Sequence, residues 1–600
     1  MRKFSLIILL FPICMFAQLH LQPASFLYAN DRLLYVTQDV SLANNATIYL
    51  RNESQMIQGS MAPSANWGLG QISVFQEGTT DNYEYNYWCS PVGLPASTYG
   101  NGDFGISLLN RPTTTTASSP AIMLSNTAMD GQSTPLSIAP RWIFKYLSSI
   151  LYASWIQVYA ATTIGAGEGF TMKGTSGSDP LLVDGVANNL GSSQRYDFRG
   201  KPNDGDIAIA VGDNLLTLTG NPYPSAIDLS AFLTDAVNCT GIAYFWEQDD
   251  TVNSHLIASY QGGYGTFSPV SRGGLGIYVP AAFTSYNVDG TTLAGVGTGG
   301  DYARRFSPIG QGFMIMGNSA GPSVTMSNLY RVYQKEDPLL SVFERSGNVA
   351  SSPQNFLPPL MSVSGFDYTT VSTLPVPQIR INALLNSSGI RQSVLAFDAM
   401  ASDGVDRAMD ARSPDASLPA DVYFVIENKR YVISVTTYDI NKRLPLGFST
   451  VGGGNFKVTV GEILNFTPDD VFIFDKITGI YHDIKNGVFD ISLPAGTFDD
   501  RFELTFKNSM LAIADQTHAD LSILQNNTAQ QLTIVNPQSL DIKSISVIDM
   551  AGKVVLQRAI VQAMTHHSFD TSYLSEGIYV VKVAHAEKES VQKIVVSRSN

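Results

Sequence analysis

Apolar and polar residues alternate over short stretches from about Leu33 onward, the period-two pattern of half-buried strands. Leu34-Tyr35-Val36-Thr37 and Ala46-Thr47-Ile48-Tyr49-Leu50 read as two strands, with Asn44-Asn45 as the turn between them. The same alternation recurs at 70–75, 155–159 and 215–219. A helix is expected over 226–236, where Ser225 can cap and Asp228 falls in the first turn. The pattern assigns 18–335 to a large β domain, one unit or two. It weakens over 336–377, where Pro338, Pro353, Pro358, Pro359, Pro375 and Pro377 predict a connector that skirts the surface. Strands at 422–426, 431–435, 471–474 and 502–506 define a second β unit over 378–507. A linker at 508–519 leads to a third unit at 520–600.

Composition sharpens this picture. Only 15% of the 600 residues are charged, and 50 glycines and 29 prolines accompany 27 tyrosines and 30 phenylalanines. Such a chain is poor in helix formers and rich in strand and turn formers. The expectation is an all-β, multidomain protein built from β-sandwich or jelly-roll-like units. A net charge of −14 leaves no electrostatic footprint for nucleic acid.

Residues 1–17 have the parts of a secretory signal peptide: Arg2 and Lys3, an apolar run over 4–16, and Ala17 before Gln18. The run falls short of the ~20 residues that a membrane-spanning helix needs, and no other stretch reaches that length. Phe11-Pro12-Ile13 lacks the small residues of a lipobox before Cys14. Beyond the signal stand Cys89 and Cys239. They either form a disulfide, which an exported protein permits, or are two small buried hydrophobes.

The last stretch combines several elements. Ile545-Ser546-Val547-Ile548-Asp549 is a strand, and Met550-Ala551-Gly552-Lys553 is a turn with glycine at the position that favours positive φ. Gly577-Ile578-Tyr579-Val580-Val581-Lys582-Val583 and Lys593-Ile594-Val595-Val596 follow. In order and spacing this tail resembles the type A C-terminal sorting domain of the type IX secretion pathway. Asp549, Gly552, Lys553, Gly577, Tyr579, Lys582 and Lys593 carry the match. The resemblance implies a small Ig-like β-sandwich, the type IX machinery as partner, and export across an outer membrane to the cell surface or beyond. Upstream, Tyr85-Asn86-Tyr87-Trp88-Cys89 and Leu218-Thr219-Gly220-Asn221-Pro222 are similar to pieces of uncharacterised large cargo proteins of that pathway and imply no activity.

Familiar catalytic patterns lack their context. Gly317-Asn318-Ser319-Ala320-Gly321 matches G-x-S-x-G, but an alternating run follows where a helix is required, so a hairpin is expected. The G-x-G-x-x-G at 295–300 has neither the strand nor the helix of a dinucleotide site, and reads as a glycine loop. His20, His255, His482 and His518 stand apart from one another, against a zinc centre. Asp398, Asp403, Asp406 and Asp410 repel one another unless bridged by Arg407 or Arg412 or neutralised by a cation, with calcium the candidate metal. Tyr85, Tyr87 and Trp88 form one aromatic cluster, and Tyr244 and Trp246 another beside Glu247 and Gln248. Such rings suit sugar recognition or fill a core. The sequence reading is therefore an exported, non-catalytic surface or secreted protein for adhesion or glycan binding, with surface polysaccharide or extracellular glycans as partners. A polysaccharide-degrading enzyme is the alternative, its paired carboxylates coming from distant strands.

Overall fold

In the computed structural model, residues 19–343, 356–414, 418–508, 521–536, 539–559, 564–585 and 588–598 are described. The expected signal peptide, the middle of the connector and residues 509–519 of the linker lie outside them. The described chain begins as a parallel coil. Leu19–Leu21 pairs in parallel with Val40–Leu42, Phe26–Asn30 with Thr47–Arg51, and Leu33–Val36 with Gln55–Gln58. The registers Leu19↔Val40, Phe26↔Thr47 and Leu33↔Gln55 give offsets of 40 − 19 = 21, 47 − 26 = 21 and 55 − 33 = 22 residues. Each turn of the coil therefore lays its apolar residues on those of the last, and Leu21, Leu42, Ile48, Leu50 and Met56 are buried. The turn expected at Asn44-Asn45 exists, with Asn45 at φ 61°, but it is a corner of the coil and not a hairpin.

Gln71–Glu77 extends the stack in parallel, and Arg195–Pro202 then joins it antiparallel. A second large sheet runs in the order Leu216–Gly220, Gly312–Gly317, Cys239–Gln248, Gln261–Ser268, Ala282–Tyr286, Thr292–Thr298. Among the described residues there is one α-helix, Leu229–Asp235. Its cap is Asp228, whose carboxylate accepts from the Ala231 N–H, while the Ser225 hydroxyl instead accepts from Arg331. None of the described helices is long and apolar enough to cross a membrane.

Residues 378–505 form two facing sheets. One holds Gln378–Leu385, Gly389–Phe397, Ile433–Thr436, Gly454–Leu464 and Phe489–Leu493; the other includes Ala420–Ile426, Arg443–Thr450, Phe472–Asp475 and Gly496–Thr505. Alternating residues such as Ile379, Ile381, Val422, Phe424, Phe448 and Phe502 fill the space between them. The chain divides into two compact units, 1–507 and 508–600. The two β units read from sequence within the first share a core: Tyr87 and Tyr244 cluster with Val394, Ile433 and Val435. The described part of the connector also packs inward, burying Leu357, Tyr368 and Val371 against Phe306 and Val332. In the second unit, a three-stranded and a four-stranded sheet enclose Leu532, Ile534, Ile545, Val547, Val581 and Val583. The fold is all-β and multidomain, as the composition predicts.

Arg331 ties the first unit together. Its guanidinium is fully buried and donates to Asp204 Oδ1 and Asn328 Oδ1 at 3.0 Å, to the Ser225 hydroxyl at 3.0 Å, and to the Met56 carbonyl of the coil. Removing one partner of such a pair strands the other charge in a low dielectric. Arg331→Met should therefore lower unfolding free energy by about 3–5 kcal/mol in denaturant titrations. Adding Asp204→Leu to it should restore part of that loss.

Candidate functional site

The strand Tyr85–Cys89 pairs with Gly169–Lys173, and Cys239–Gln248 pairs with Gln261–Ser268. Strand alternation turns Tyr85 and Tyr87 one way and Trp88 the other. Trp88 is 1% exposed and packs in the core against Phe343, Phe198 and Tyr196, with ring centroids 4.8, 5.6 and 5.7 Å away. Tyr244 is equally buried. These two rings fill the core, one of the two alternatives that the sequence left open, and are not surface ligand contacts. Tyr87 is also buried, stacked on Trp246 at 6.5 Å and 8°, with its hydroxyl 2.7 Å from that of Tyr264. It backs Trp246 and fixes that ring's plane.

Tyr85 and Trp246 are only half-buried, and both reach a groove of about 700 Å³. Glu84, Glu247, Gln248, Asp249, Asp250, Phe283, Tyr302 and the glycine run 297–300 complete most of its lining. The G-x-G-x-x-G residues thus have a role that their motif did not indicate. They form the end of the strand Thr292–Thr298 and the turn after it, lying over Glu247. A Cβ on Gly299 would stand 2.0 Å from Glu247 Oε2, so only glycine fits there. Glu247 accepts from the Tyr278 hydroxyl at 2.5 Å, the Gly300 N–H at 2.7 Å and the Ala281 N–H at 3.2 Å. Burial pushes its carboxyl up to about 7 despite those bonds. It is a brace for the groove wall.

Glu84 is different. It is 5% exposed, its Oε2 accepts from the Asp81 N–H at 3.1 Å, and its buried Oε1 has no partner. Burial first, then the Asp81 carboxyl beside it, push Glu84 up to about 8. Gln248 Nε2 at the same groove also lacks a partner, while its Oε1 accepts from Trp246 Nε1 at 3.3 Å. Behind Tyr85, Lys173 Nζ sits 4.4 Å from the Trp142 ring centre and 4.9 Å from those of Tyr85 and Tyr260. It donates to the Tyr260 hydroxyl at 2.6 Å and lies 3.2 Å from His255 Nδ1, and His255 Nε2 in turn meets Asp130 at 2.9 Å. Burial lowers Lys173 to about 7. Sequence reading missed Glu84 and Lys173, whose partners come from strands and loops far apart in the chain.

The carboxylates of the acidic loop are met largely by the loop's own backbone. Asp410 accepts from the Val435 and Asp406 N–H groups, Asp406 from the Ser402 N–H, and Asp398 from the Met400 N–H. Asp403 pairs with Lys442 at 2.5 Å, which holds its carboxyl below the usual range. Arg407 bridges none of these; it donates to the Leu233 carbonyl at the end of the helix. Among the described residues no group of three His, Cys, Asp or Glu side chains is placed to hold a metal. Backbone donors and a lysine thus meet Asp398, Asp403, Asp406 and Asp410, the carboxylates for which calcium was the candidate metal. Cys89 and Cys239 are free and buried, so the possible disulfide is not formed. Cys89 packs beside Gly220, and Cys239 lies in a separate cluster with Ala243 and Phe245. Ser319 lies between Gly312–Gly317 and Ser323–Met326, which belong to different sheets, so neither an elbow nor the expected hairpin exists.

In the second unit, Asp549 accepts from the Ala551 and Lys553 N–H groups at 2.9 Å, closing a turn in which Gly552 has φ 82°. The Tyr579 hydroxyl donates to the Ser575 carbonyl at 2.8 Å, and Lys582 pairs with Glu589 at 3.3 Å. Gly577 and Lys593 lie on the paired strands Gly577–His585 and Lys588–Val596.

This turn and sandwich belong to a cargo of type IX secretion: residues 526–597 match the secretion system C-terminal sorting domain. The protein is exported to the cell surface or the extracellular space. Residues 110–506 match a second family, described as Domain of unknown function (DUF8693), and the chain belongs to that family. No curated protein matches the chain. Among solved structures, the BSP domain of a biofilm associated protein is 14% identical over 25% of this chain and 28% of that one, with a TM-score of 0.11. Salmonella alpha-2-macroglobulin reacted with methylamine is 10% identical over 77% of this chain and 41% of that one, also at 0.11. The chain thus spans less than half of either structure, and neither score describes a shared fold.

Glu84 generates a test of its own. Its folded value lies above the ordinary 4.5, so its contribution to stability is full below about 4.5 and is lost as pH rises through about 8. Glu84→Gln should melt above the wild type by a margin that opens with rising pH and levels off past that point, as thermal scans from pH 4 to 9 would read.

Proposed function

We propose that this exported protein is a non-catalytic carbohydrate-binding protein of the cell surface or its surroundings, with the groove at Tyr85 and Trp246 as its binding site. The observation that carries the reading is the groove's composition. Trp246, backed by Tyr87, lines the groove together with Tyr85, Tyr302, Glu84, Gln248 and Asp249. Flat rings pack against the apolar C–H faces of a sugar, and carboxylates and amides fix its hydroxyls. Gln248 and Asp249, both partly exposed at the groove, carry polar groups of the kind that meet such hydroxyls. The volume falls in the range of small-ligand sites, about 300–1,000 Å³.

A second reading, polysaccharide cleavage, has one observation in its favour: Glu84 and Glu247 line one groove and both resist ionisation. Three bonds already engage Glu247, which supports the binding reading over this one. A glycan array probed with the mature chain should return saccharide ligands, and Trp246→Ala should weaken them by about tenfold, or about 1.4 kcal/mol. Release of reducing ends from a bound polysaccharide, abolished by Glu84→Gln, would instead favour cleavage.

A further inference from the structure

The first turn of the parallel coil lacks a cover. Leu19, Leu27 and Leu34 come one from each of its three strands and pack inward, yet each is only partly buried. Their register partners in the next turn, Val40, Ile48 and Met56, are 2%, 0% and 0% exposed. The difference is the absent layer above them. The backbone agrees. Among the described residues, Leu19–Leu21, Phe26–Asn30 and Leu33–Val36 each pair with a strand on one side only. Natural sheets blunt such an edge with charge, proline or a bulge. None of these three strands contains a charged residue or a proline, and their registers run without a bulge. Phe26, Tyr28 and Tyr35 add exposed rings beside the same edge.

We infer that this open end is the interface of a two-fold dimer, in which a second copy of the chain supplies the missing layer. The edge is self-complementary. A two-fold axis through the middle strand sets Phe26–Asn30 antiparallel to its own copy, and Leu19–Leu21 against the second copy's Leu33–Val36. The leucine layer of one copy then lies on that of the other. The chain as a whole carries a charge of −14, but these strands carry none of it, so two copies meet here without repulsion. The far end of the stack is closed. Arg195–Pro202 joins Gln71–Glu77 antiparallel, the Leu42 N–H donates to the Trp67 carbonyl, and the Met56 N–H donates to the Pro224 carbonyl. Copies therefore have no second open end for head-to-tail growth, and head-to-head contact closes at two.

The size of the edge sets the strength of the contact. Residues 19–36 trace roughly 60 Å of chain at about 3.3 Å per residue, and a strand with side chains on both faces is about 10 Å across. Each copy then covers about 600 Å², or about 1,200 Å² for the pair, the lower end of specific interfaces. The dimer should accordingly be concentration-dependent, with a Kd on the order of micromolar.

Sedimentation velocity on the mature chain, over ~0.1 to ~100 μM, should show a monomer passing to a dimer and to nothing larger. Tyr28 is the middle residue of its strand and 41% exposed, so the two-fold sets it opposite its own copy. Like charges there oppose pairing. Tyr28→Lys and Tyr28→Glu should each weaken the dimer by about tenfold or more, and an equimolar mixture of the two should regain it. Melting curves would confirm that both variants fold. Without any variant, amide exchange over 19–36 in the wild type should slow several-fold from dilute to concentrated samples, while exchange over 378–505 stays unchanged. A monomer at every concentration overturns the inference. So does a dimer whose protection lies elsewhere, one that Tyr28→Lys leaves intact, or one that the mixture fails to restore. Assemblies larger than two overturn the closed head-to-head arrangement.

Discussion

A single buried cation holds several independent pieces of backbone at one point. Arg331 reaches the coil through the Met56 carbonyl, the strand-to-helix corner through Ser225, and the loop that follows Arg195–Pro202 through Asp204. The ring of Tyr223 covers its face at 4.8 Å. Burial disfavours its charged form and raises Asp204 to about 6, so neither group would hold a charge there without the other. The coil strand Gln55–Gln58 and the strand-to-helix corner at 225–229 lie in separate sheets. The guanidinium, with its planar set of donors, makes that junction where hydrophobic contact alone would leave the carbonyls unmet.

The same balance between burial and pairing shapes the groove, with the opposite outcome. Glu247 is as buried as Glu84, but three donors meet it, and it serves to pin the glycine turn. Glu84 meets one backbone donor and, beside it, the Asp81 carboxyl, which disfavours its charge. Proteins rarely leave a buried carboxyl in that state, and where they do the site is a candidate for function. Lys173, sealed behind aromatic rings, shows that the fold can bury and satisfy a charge in this neighbourhood when the role is structural.

Much of the architecture was legible in the sequence, because alternation, turn residues and low charge all point to strands. The pairing of those strands was not. Leu34 to Leu50 carries the same signals whether its strands return antiparallel or stack in parallel, and only the 21-residue spacing between Leu19 and Val40, or Phe26 and Thr47, tells them apart. Local capping chemistry was read one turn too early, since Ser225 answers to Arg331, a partner 106 residues away. The aromatic clusters were located correctly but not sorted. Tyr85 and Trp88 differ by the face of the strand, and burial on that face depends on Phe198 and Phe343, which the local sequence does not show. The sorting domain was the most legible part because its signals are local turns and strands in fixed order.

The coil at the start of the first unit has the arithmetic of a ruler. Its strands repeat at offsets of 21 or 22 residues, and the inward side chains of one turn rest on those of the next. The corners absorb the single-residue difference between 21 and 22. A coil of this kind lengthens by whole turns, because a gain of about half a turn leaves a strand with no neighbour to stack on. Relatives that differ here should differ by multiples of one turn, so that the coil grows by addition while the groove downstream keeps its shape.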